Sequence, residues 1–123
     1  MTARNILIAD DDADIAEMIA SALRQKGFDA QTAGNGRTAL ERIETKAPAL
    51  LVTDVDMPEM DGLKLCRRLR AGGHAFPIII MSGSLAAPEF RAVFERAGAT
   101  DCIAKPFAPD ELIEKIRLLL PGD

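Results

Sequence analysis

Five short apolar runs alternate along the chain with segments of helical period, and this alternation restricts the fold more than any other feature. The runs are too short for helices and rich in isoleucine, leucine and valine, which is typical of strands buried on both faces. Between them, apolar residues recur every three or four positions, as on a helix that buries one side. This alternation predicts an α/β fold: a parallel sheet with right-handed crossovers and helices on both faces.

The bounds of these elements follow from changes of period and from the glycines and prolines that end them. Strands are predicted at Asn5–Ala9, Phe28–Ala33, Ala49–Thr53, Pro77–Met81 and Asp101–Ala104. Helices are predicted at Ala13–Lys26, Arg37–Lys46, Leu63–Arg70, Pro88 to the residue before Gly98, and Pro109–Leu119. The core-facing side chains are expected to include Met18 and Phe90. The second strand is the more polar one, which predicts an edge position.

The bulk properties limit the classes of function. A chain of 123 residues without internal repeats or linkers predicts a single domain, residues 1–123, that needs no disulfide or structural metal to fold. A net charge of -4 and a pI near 5.0 argue against nucleic-acid or membrane partners. The basic cluster Arg67, Arg68 and Arg70 is interpreted as a solvated helix face. Cys66 and Cys102 lie outside any metal or redox motif and no signal peptide precedes the fold, so a cytoplasmic location is expected.

Polar residues follow four of the five predicted strands. In a parallel sheet the C-terminal ends of all strands lie along one edge. Ligands bind at that edge, at the point where the strand order reverses. That edge is predicted to collect Asp10 and Asp11 after the first strand, Asp54 and Asp56 at the third, Ser82 after the fourth and Lys105 after the fifth.

Asp54, taken alone, could be a helix cap, a metal ligand or a nucleophile. Together with Asp10 and Asp11 it would concentrate about three negative charges, at roughly 1 to 4 kcal/mol per pair. A shared proton would relieve this repulsion, but an oxygen-only ligand set is better suited to Mg2+ or Mn2+. Lys105 could be a plain salt-bridge partner and Ser82 a cap. Their convergence instead favours a single phosphoryl group, transferred to a carboxylate as an acyl phosphate.

Four motifs carry a family resemblance across essentially the whole chain: ILIADDD at 6–12, LLVTDVDMPEMDGL at 50–63, PIIIMSGS at 77–84 and IAKPF at 103–107. The sequence resembles the receiver domain of bacterial two-component response regulators, the chemotaxis regulator among them. The resemblance implies a three-layer, doubly wound, flavodoxin-like fold with strand order 2-1-3-4-5.

The resemblance also implies a role for each site residue. Asp54 would be the phosphoacceptor and, with Asp10 and Asp11, a ligand of Mg2+. Asp56 would offer the metal its backbone carbonyl. Ser82 would bind the phosphoryl group, Gly83 would leave access to it, and Lys105 would contact it. The peptide bond before Pro106 is expected to be cis.

The sequence departs from the family pattern at two positions. Cys102 stands where the family usually has an aromatic residue whose inward turn is coupled to the Ser/Thr movement; it is interpreted as a small buried hydrophobe rather than a redox sensor. Asp56 carries its carboxylate at a position that tunes phosphoryl lifetime in the family. No output domain follows the fifth helix, and the initial Met1 favours a stand-alone receiver over an excised one.

The sequence thus predicts a phosphoacceptor signalling domain that catalyses only its own phosphorylation and dephosphorylation. A histidine kinase or histidine phosphotransfer protein would donate to Asp54, and a downstream protein would read the face of the fourth helix, fifth strand and fifth helix. One alternative is a haloacid-dehalogenase-like phosphatase, whose second aspartate two residues after the nucleophile would match Asp56. The other is a degenerate receiver that acts as a docking module without phosphorylation.

Overall fold

The chain forms five parallel strands flanked by five helices in the computed structural model, which describes residues 4–83 and 88–120. The strands are β1 (Asn5–Ala9), β2 (Asp29–Ala33), β3 (Leu50–Asp54), β4 (Ile78–Ser82) and β5 (Asp101–Ala104). The helices are α1 (Ala13–Gln25), α2 (Gly36–Thr45), α3 (Gly62–Ala71), α4 (Pro88–Ala97) and α5 (Pro109–Leu119). The strand order β2-β1-β3-β4-β5 confirms the predicted doubly wound fold, and several bounds differ from the prediction by one residue.

The strand register aligns the ends of the central strands. Ala9 lies opposite Thr53, Asp54 lies opposite Met81, and Ser82 lies opposite Ala104. All pairs are parallel. The residues that follow β1, β3 and β5 therefore emerge at one edge of the sheet.

Two apolar clusters fill the space on either side of the sheet. One packs α1 and α5 against residues such as Ile8, Val52 and Ile79; the other packs α2, α3 and α4 against Leu7, Leu51 and Ile80. Each strand alternates between the two clusters, as its period of two requires. This accounts for the unbroken apolar runs in the sequence.

Two residues expected in the core are exposed instead. Met18 is 56% exposed because the buried stripe of α1 consists of Ala16, Ile19, Ala20 and Leu23, and position 18 falls at its margin. Phe90 is 43% exposed, whereas Phe94, one turn further along α4, is buried. Burial on α4 is thus strongest near its C-terminal half.

The basic cluster on α3 is only partly a solvated face. Arg67 and Arg68 are exposed, but Arg70 is half-buried and donates to the carbonyls of Gly98, His74 and Phe76. These bonds join the end of α3 to the segments before β4 and β5. The sequence interpretation was therefore wrong for Arg70, because an arginine at a helix end can reach neighbouring loop carbonyls.

The edge position of β2 is confirmed, and arginines cover its outward carbonyls. Arg24 of α1 donates two bonds to the carbonyl of Ala30, at 3.1 and 2.8 Å, and Arg42 of α2 donates to that of Thr32. Such cover reduces pairing of the exposed edge with other strands.

Candidate functional site

Asp10 anchors the site at the end of β1. Its side chain is 1% exposed, its backbone N–H donates to the carbonyl of Ala33, and its Oδ1 accepts from the N–H of Asp12 at 2.9 Å. Asp12 caps α1 by accepting from the N–H groups of Asp14 and Ile15. The turn from β1 into α1 therefore holds Asp10 in a fixed orientation.

Asp54 is the last residue of β3, and its two carboxylate oxygens have different partners. Oδ1 accepts from the N–H of Val55 at 2.9 Å. Oδ2 lies 3.2 Å from Nζ of Lys105, and the side chain is 13% exposed. One oxygen is therefore held by the backbone, while the other faces a cation near the surface.

Three carboxylates converge at this edge of the sheet. Asp10, Asp11 and Asp54 each offer an oxygen, and these oxygens all lie within 4.8 Å of one another. Asp10 is buried, the Asp54 side chain is 13% exposed, and Asp11 is exposed. The donor set contains oxygen alone, which suits a hard divalent cation such as Mg2+.

Lys105 follows β5 and joins two of these acids. Its Nζ lies 3.0 Å from Oδ2 of Asp10 and 3.2 Å from Oδ2 of Asp54. The peptide bond between Lys105 and Pro106 is cis, which confirms the expectation drawn from the resemblance. Three acids and one base leave the cluster with an excess of negative charge.

Burial and neighbouring charges shift the pKa values of Asp54 and Lys105. Burial raises the pKa of Asp54 and the charge of Asp10 adds to this, although Lys105 and the N–H of Val55 oppose it. Burial alone would lower the pKa of Lys105, but its bonds to Asp10 and Asp54 outweigh burial and raise it. The lysine therefore stays protonated. The ionised form of Asp54 is disfavoured by burial, and a further cation beside it would stabilise that form.

The remaining predicted site residues lie around this cluster at different depths. Ser82 ends β4 and is buried, next to Met81, the register partner of Asp54. Gly83 follows it and is exposed, while Ser84 of the motif lies outside the described residues. The side chain of Asp56 is exposed, and no contact brings it into the cluster of carboxylates among the residues described.

Cys102 lies inside the sheet rather than at its polar edge. It is buried in the apolar cluster beneath α2, α3 and α4, and its register partner is Ile80. Burial raises the pKa of the Cys102 thiol and also that of Cys66. A raised thiol pKa reduces the reactive thiolate fraction.

Thr53 and Gly62 have site contacts that the sequence reading missed. Thr53 is fully buried, and its hydroxyl donates to the carbonyl of Asp54 at 3.0 Å. A Cβ on Gly62 would lie 2.1 Å from the same carbonyl oxygen, so only glycine permits this approach of α3. The available signals were a hydroxyl residue in an otherwise apolar strand and an Asp-Gly pair after the loop.

This fold and this acidic edge are those of a signalling receiver. A family model for the response regulator receiver domain matches residues 6–117, and the chain belongs to that family. Among curated relatives, response regulator MprA of Mycolicibacterium vanbaalenii is 39% identical over 115 residues, which cover 94% of this chain and 49% of that protein. MprA of Mycobacterium leprae is 40% identical, with 94% and 50% covered. The chain thus spans about half the length of these relatives.

Solved structures agree with the assignment. The receiver domain of Francisella response regulator 1452 superposes with a TM-score of 0.90 at 35% identity, covering 94% of this chain and 95% of that one. Chemotaxis protein CheY4 of Vibrio cholerae superposes with a TM-score of 0.90 at 27% identity, covering 96% and 99%. Within residues 4–83 and 88–120, no helix has the length and apolar character that crossing a membrane requires.

Proposed function

We propose that the domain, residues 1–123, is a phosphoacceptor in a phosphorelay and that Asp54 receives the phosphoryl group. The observation that carries this proposal is that the two oxygens of the Asp54 carboxylate have different partners. Oδ1 is held by a backbone N–H, and Oδ2 faces Lys105 at 3.2 Å beside the carboxylates of Asp10 and Asp11. A nucleophilic oxygen beside a fixed cation suits transfer to a carboxylate, and the two further acids suit a divalent cation that would assist it.

In this reaction Oδ2 of Asp54 forms a bond to phosphorus while the bond from phosphorus to the donor breaks. With a phosphohistidine donor, the electron pair of the P–N bond stays on the imidazole nitrogen, which then takes up a proton. Lys105 offsets the charge that develops on the phosphoryl oxygens. Its raised pKa supports this role, because the ammonium stays charged at neutral pH. The domain thus catalyses only its own phosphorylation and dephosphorylation.

The acidic cluster fits Mg2+, with Mn2+ as a substitute. Asp10, Asp11 and Asp54 would hold the ion through side-chain oxygens, and Asp56 would add its backbone carbonyl. Bound there, the ion would neutralise the excess negative charge and polarise a phosphoryl oxygen. The raised pKa of Asp54 supports this, because a cation would favour its ionised form.

Ser82 and Gly83 would serve the phosphoryl group after transfer. Ser82 ends β4 one residue after Met81, the register partner of Asp54, and its hydroxyl would turn toward a modified aspartate. Among the residues that the structure describes, no atom lies within 4 Å of a Cβ built on Gly83, which supports access of the donor. Movement of Ser82 would bias the face of α4, β5 and α5 toward a second arrangement. The side chain of Cys102 is small, whereas the family usually has an aromatic ring at this position of the switch.

The partners of such a domain would be proteins in the cytoplasm. A histidine kinase or a histidine phosphotransfer protein would donate the phosphoryl group, and a downstream protein would read the face of α4, β5 and α5. The net charge of -4 argues against nucleic acid or a membrane as the partner of this segment.

The two alternatives are less well supported. In haloacid-dehalogenase-like phosphatases the nucleophile ends the first strand, whereas Asp54 ends β3, and Asp56 lies exposed. A docking module without phosphorylation would not need the three convergent carboxylates or the lysine between them. The receiver family match supports the phosphoacceptor over both.

One experiment separates the three functions. The protein and Asp54→Ala are incubated with Mg2+ and acetyl phosphate, and intact mass and free phosphate are followed together. We expect one added phosphoryl group on the wild type and none on the variant. In a parallel incubation with small phosphate esters, sustained release of phosphate would indicate the hydrolase. A wild type that acetyl phosphate leaves unmodified would indicate the docking module.

A further inference from the structure

The peptide group between Asp54 and Val55 connects a buried hydroxyl to the acceptor carboxylate. Its carbonyl oxygen accepts from the Thr53 hydroxyl at 3.0 Å. Its N–H donates to Oδ1 of Asp54 at 2.9 Å. Carbonyl and N–H belong to one planar unit, so a bond to the first restricts the direction of the second.

The N–H of Val55 has a second acceptor within reach. It lies 3.2 Å from the carbonyl oxygen of Met81 on β4 and is therefore shared between two oxygens. A small rotation of the peptide plane toward Met81 would release Oδ1 of Asp54. The carboxylate could then rotate, and its two oxygens would lose their distinct roles.

Thr53 and Gly62 both restrict this rotation, because both lie against the carbonyl oxygen of Asp54. Thr53 is fully buried, so its hydroxyl must keep a hydrogen-bond partner, and that partner is the Asp54 carbonyl. Gly62 lies so close to the same oxygen that a Cβ would be 2.1 Å away, and its N–H donates to the carbonyl of Val55 at 2.8 Å. The peptide plane is thus held by a bond on β3 and bounded by the start of α3.

We propose that Thr53 is a positioning residue for phosphoryl transfer: its hydroxyl fixes the Asp54–Val55 peptide plane, whose N–H holds Oδ1 and leaves Oδ2 facing Lys105. The inference rests on the proposed function of Asp54 and adds a residue that touches neither metal nor phosphoryl group. The reaction at Oδ2 is the one described for Asp54: the new P–O bond forms as the bond from phosphorus to the donor breaks.

The test compares Thr53→Val, which removes the hydroxyl at nearly constant volume, with Thr53→Ser, which retains it. Thr100→Val is the matched control. The Thr100 hydroxyl accepts a hydrogen bond from the backbone N–H of Ile78 at the opposite edge of the sheet. The rate of Asp54 modification is measured at saturating Mg2+ over a range of acetyl phosphate concentrations. In this reaction the P–O bond to the acetyl group breaks and acetate leaves.

We expect Thr53→Val to lower the maximal rate about fivefold, the value of one ordinary hydrogen bond, with an unchanged half-saturating concentration of acetyl phosphate. Thr53→Ser and Thr100→Val should remain within about twofold of the wild type. A maximal rate for Thr53→Val equal to that of the wild type would overturn the proposal. So would a rate for Thr53→Ser as low as that for Thr53→Val.

A spectroscopic measurement keeps the inference testable if Thr53→Val fails to fold. The scalar coupling across the hydrogen bond from Val55 15N to Asp54 13Cγ should be present in the wild type and in Thr53→Ser, and absent from a folded Thr53→Val. Its absence from a wild-type protein that is modified at Asp54 would contradict the positioning role. A wild type that is not modified at Asp54 would instead refute the proposed function itself.

Discussion

Strand β5 has an ion cluster at each end, and the two clusters differ in burial and in charge balance. At its start, Asp101 lies 3.1 Å from Lys115 and 3.7 Å from Arg91, and all three side chains are at least a quarter exposed. At its end, Lys105 pairs with Asp10 and Asp54, whose side chains are 1% and 13% exposed. The first cluster has one acid and two bases, whereas the second, with Asp11, has three acids and one base.

The difference separates a structural ion cluster from a binding site. Exposed pairs are screened by solvent and contribute little to stability. A shielded cluster with surplus negative charge is costly unless a cation from outside balances it. We therefore expect changes at the end of β5 to alter chemistry and metal binding, and changes at its start to alter little beyond a small part of the stability.

The largest expected effect comes from removing the base of the shielded cluster. Lys105→Met should slow modification of Asp54 by acetyl phosphate about 100-fold, because the positioned cation that stabilises transferring charge is lost. Lys115→Met, which removes a base from the exposed cluster, is the matched control and should leave the rate within about twofold. Equal rates for the two variants would abolish the distinction between the clusters.

The second effect is on stability and depends on pH. The pKa of Asp54 is raised above its ordinary value of 3.8, chiefly by burial, so between the unfolded-state and folded-state pKa values the folded protein binds more protons than the unfolded chain. Stability contributed by this group therefore falls as pH rises from about 4 through the folded-state pKa. Asp54→Asn should be more stable than the metal-free wild type at pH 7, by on the order of 1 kcal/mol.

Urea unfolding in a chelator at several pH values measures this difference. The two proteins should converge below about pH 3, where the wild-type carboxyl is also neutral. Added Mg2+ should stabilise the wild type more than Asp54→Asn, since a ligand of the folded state raises stability. A variant less stable than the wild type at pH 7 would show that the Lys105 pair outweighs burial.

A smaller effect is expected at the start of β5. Asp101→Asn should lower the free energy of unfolding by about 0.5 kcal/mol, because the lost pairs are exposed and the amide oxygen can still accept from the N–H of Cys102. The difference should disappear in about 1 M salt, where the Debye length is about 3 Å. A loss that persists in salt would show that Asp101 is a buried structural partner after all.

The smallest effect concerns Asp56, whose exposed carboxylate lies outside the cluster. Our hypothesis is that its charge disfavours or misorients the water that attacks the acyl phosphate. Asp56→Asn should then shorten the half-life of phosphorylated Asp54 about twofold, a change of about 0.4 kcal/mol. Glu59→Gln removes another exposed acid from the same loop and should have no effect. An unchanged half-life in Asp56→Asn would remove the hypothesis.

The sequence predicted the parts of this picture that depend on period and on strand ends. The alternation of runs predicted the parallel sheet, and Asp10, Asp11 and Asp54 lie at one edge because they stand at the ends of parallel strands. Exposure at Met18 and Phe90 was not predicted, because it depends on how each helix is rotated and placed against the sheet. The hydrogen bonds of Arg70 and of the Thr53 hydroxyl were also not predicted, because they depend on the positions of backbone carbonyls, which a sequence pattern does not describe.

The two clusters differ in function if the acidic cluster at the end of β5 binds a cation that assists phosphorylation of Asp54. The rate of acyl-phosphate formation at Asp54, measured against Mg2+ concentration in the wild type and in Asp11→Asn, tests this most directly. Asp11 is exposed, so its substitution should leave the fold intact. We predict a saturating dependence in the wild type and a requirement for at least about tenfold more Mg2+ in Asp11→Asn, because one charged ligand is lost. A rate indifferent to Mg2+, or identical curves for the two proteins, would contradict the account.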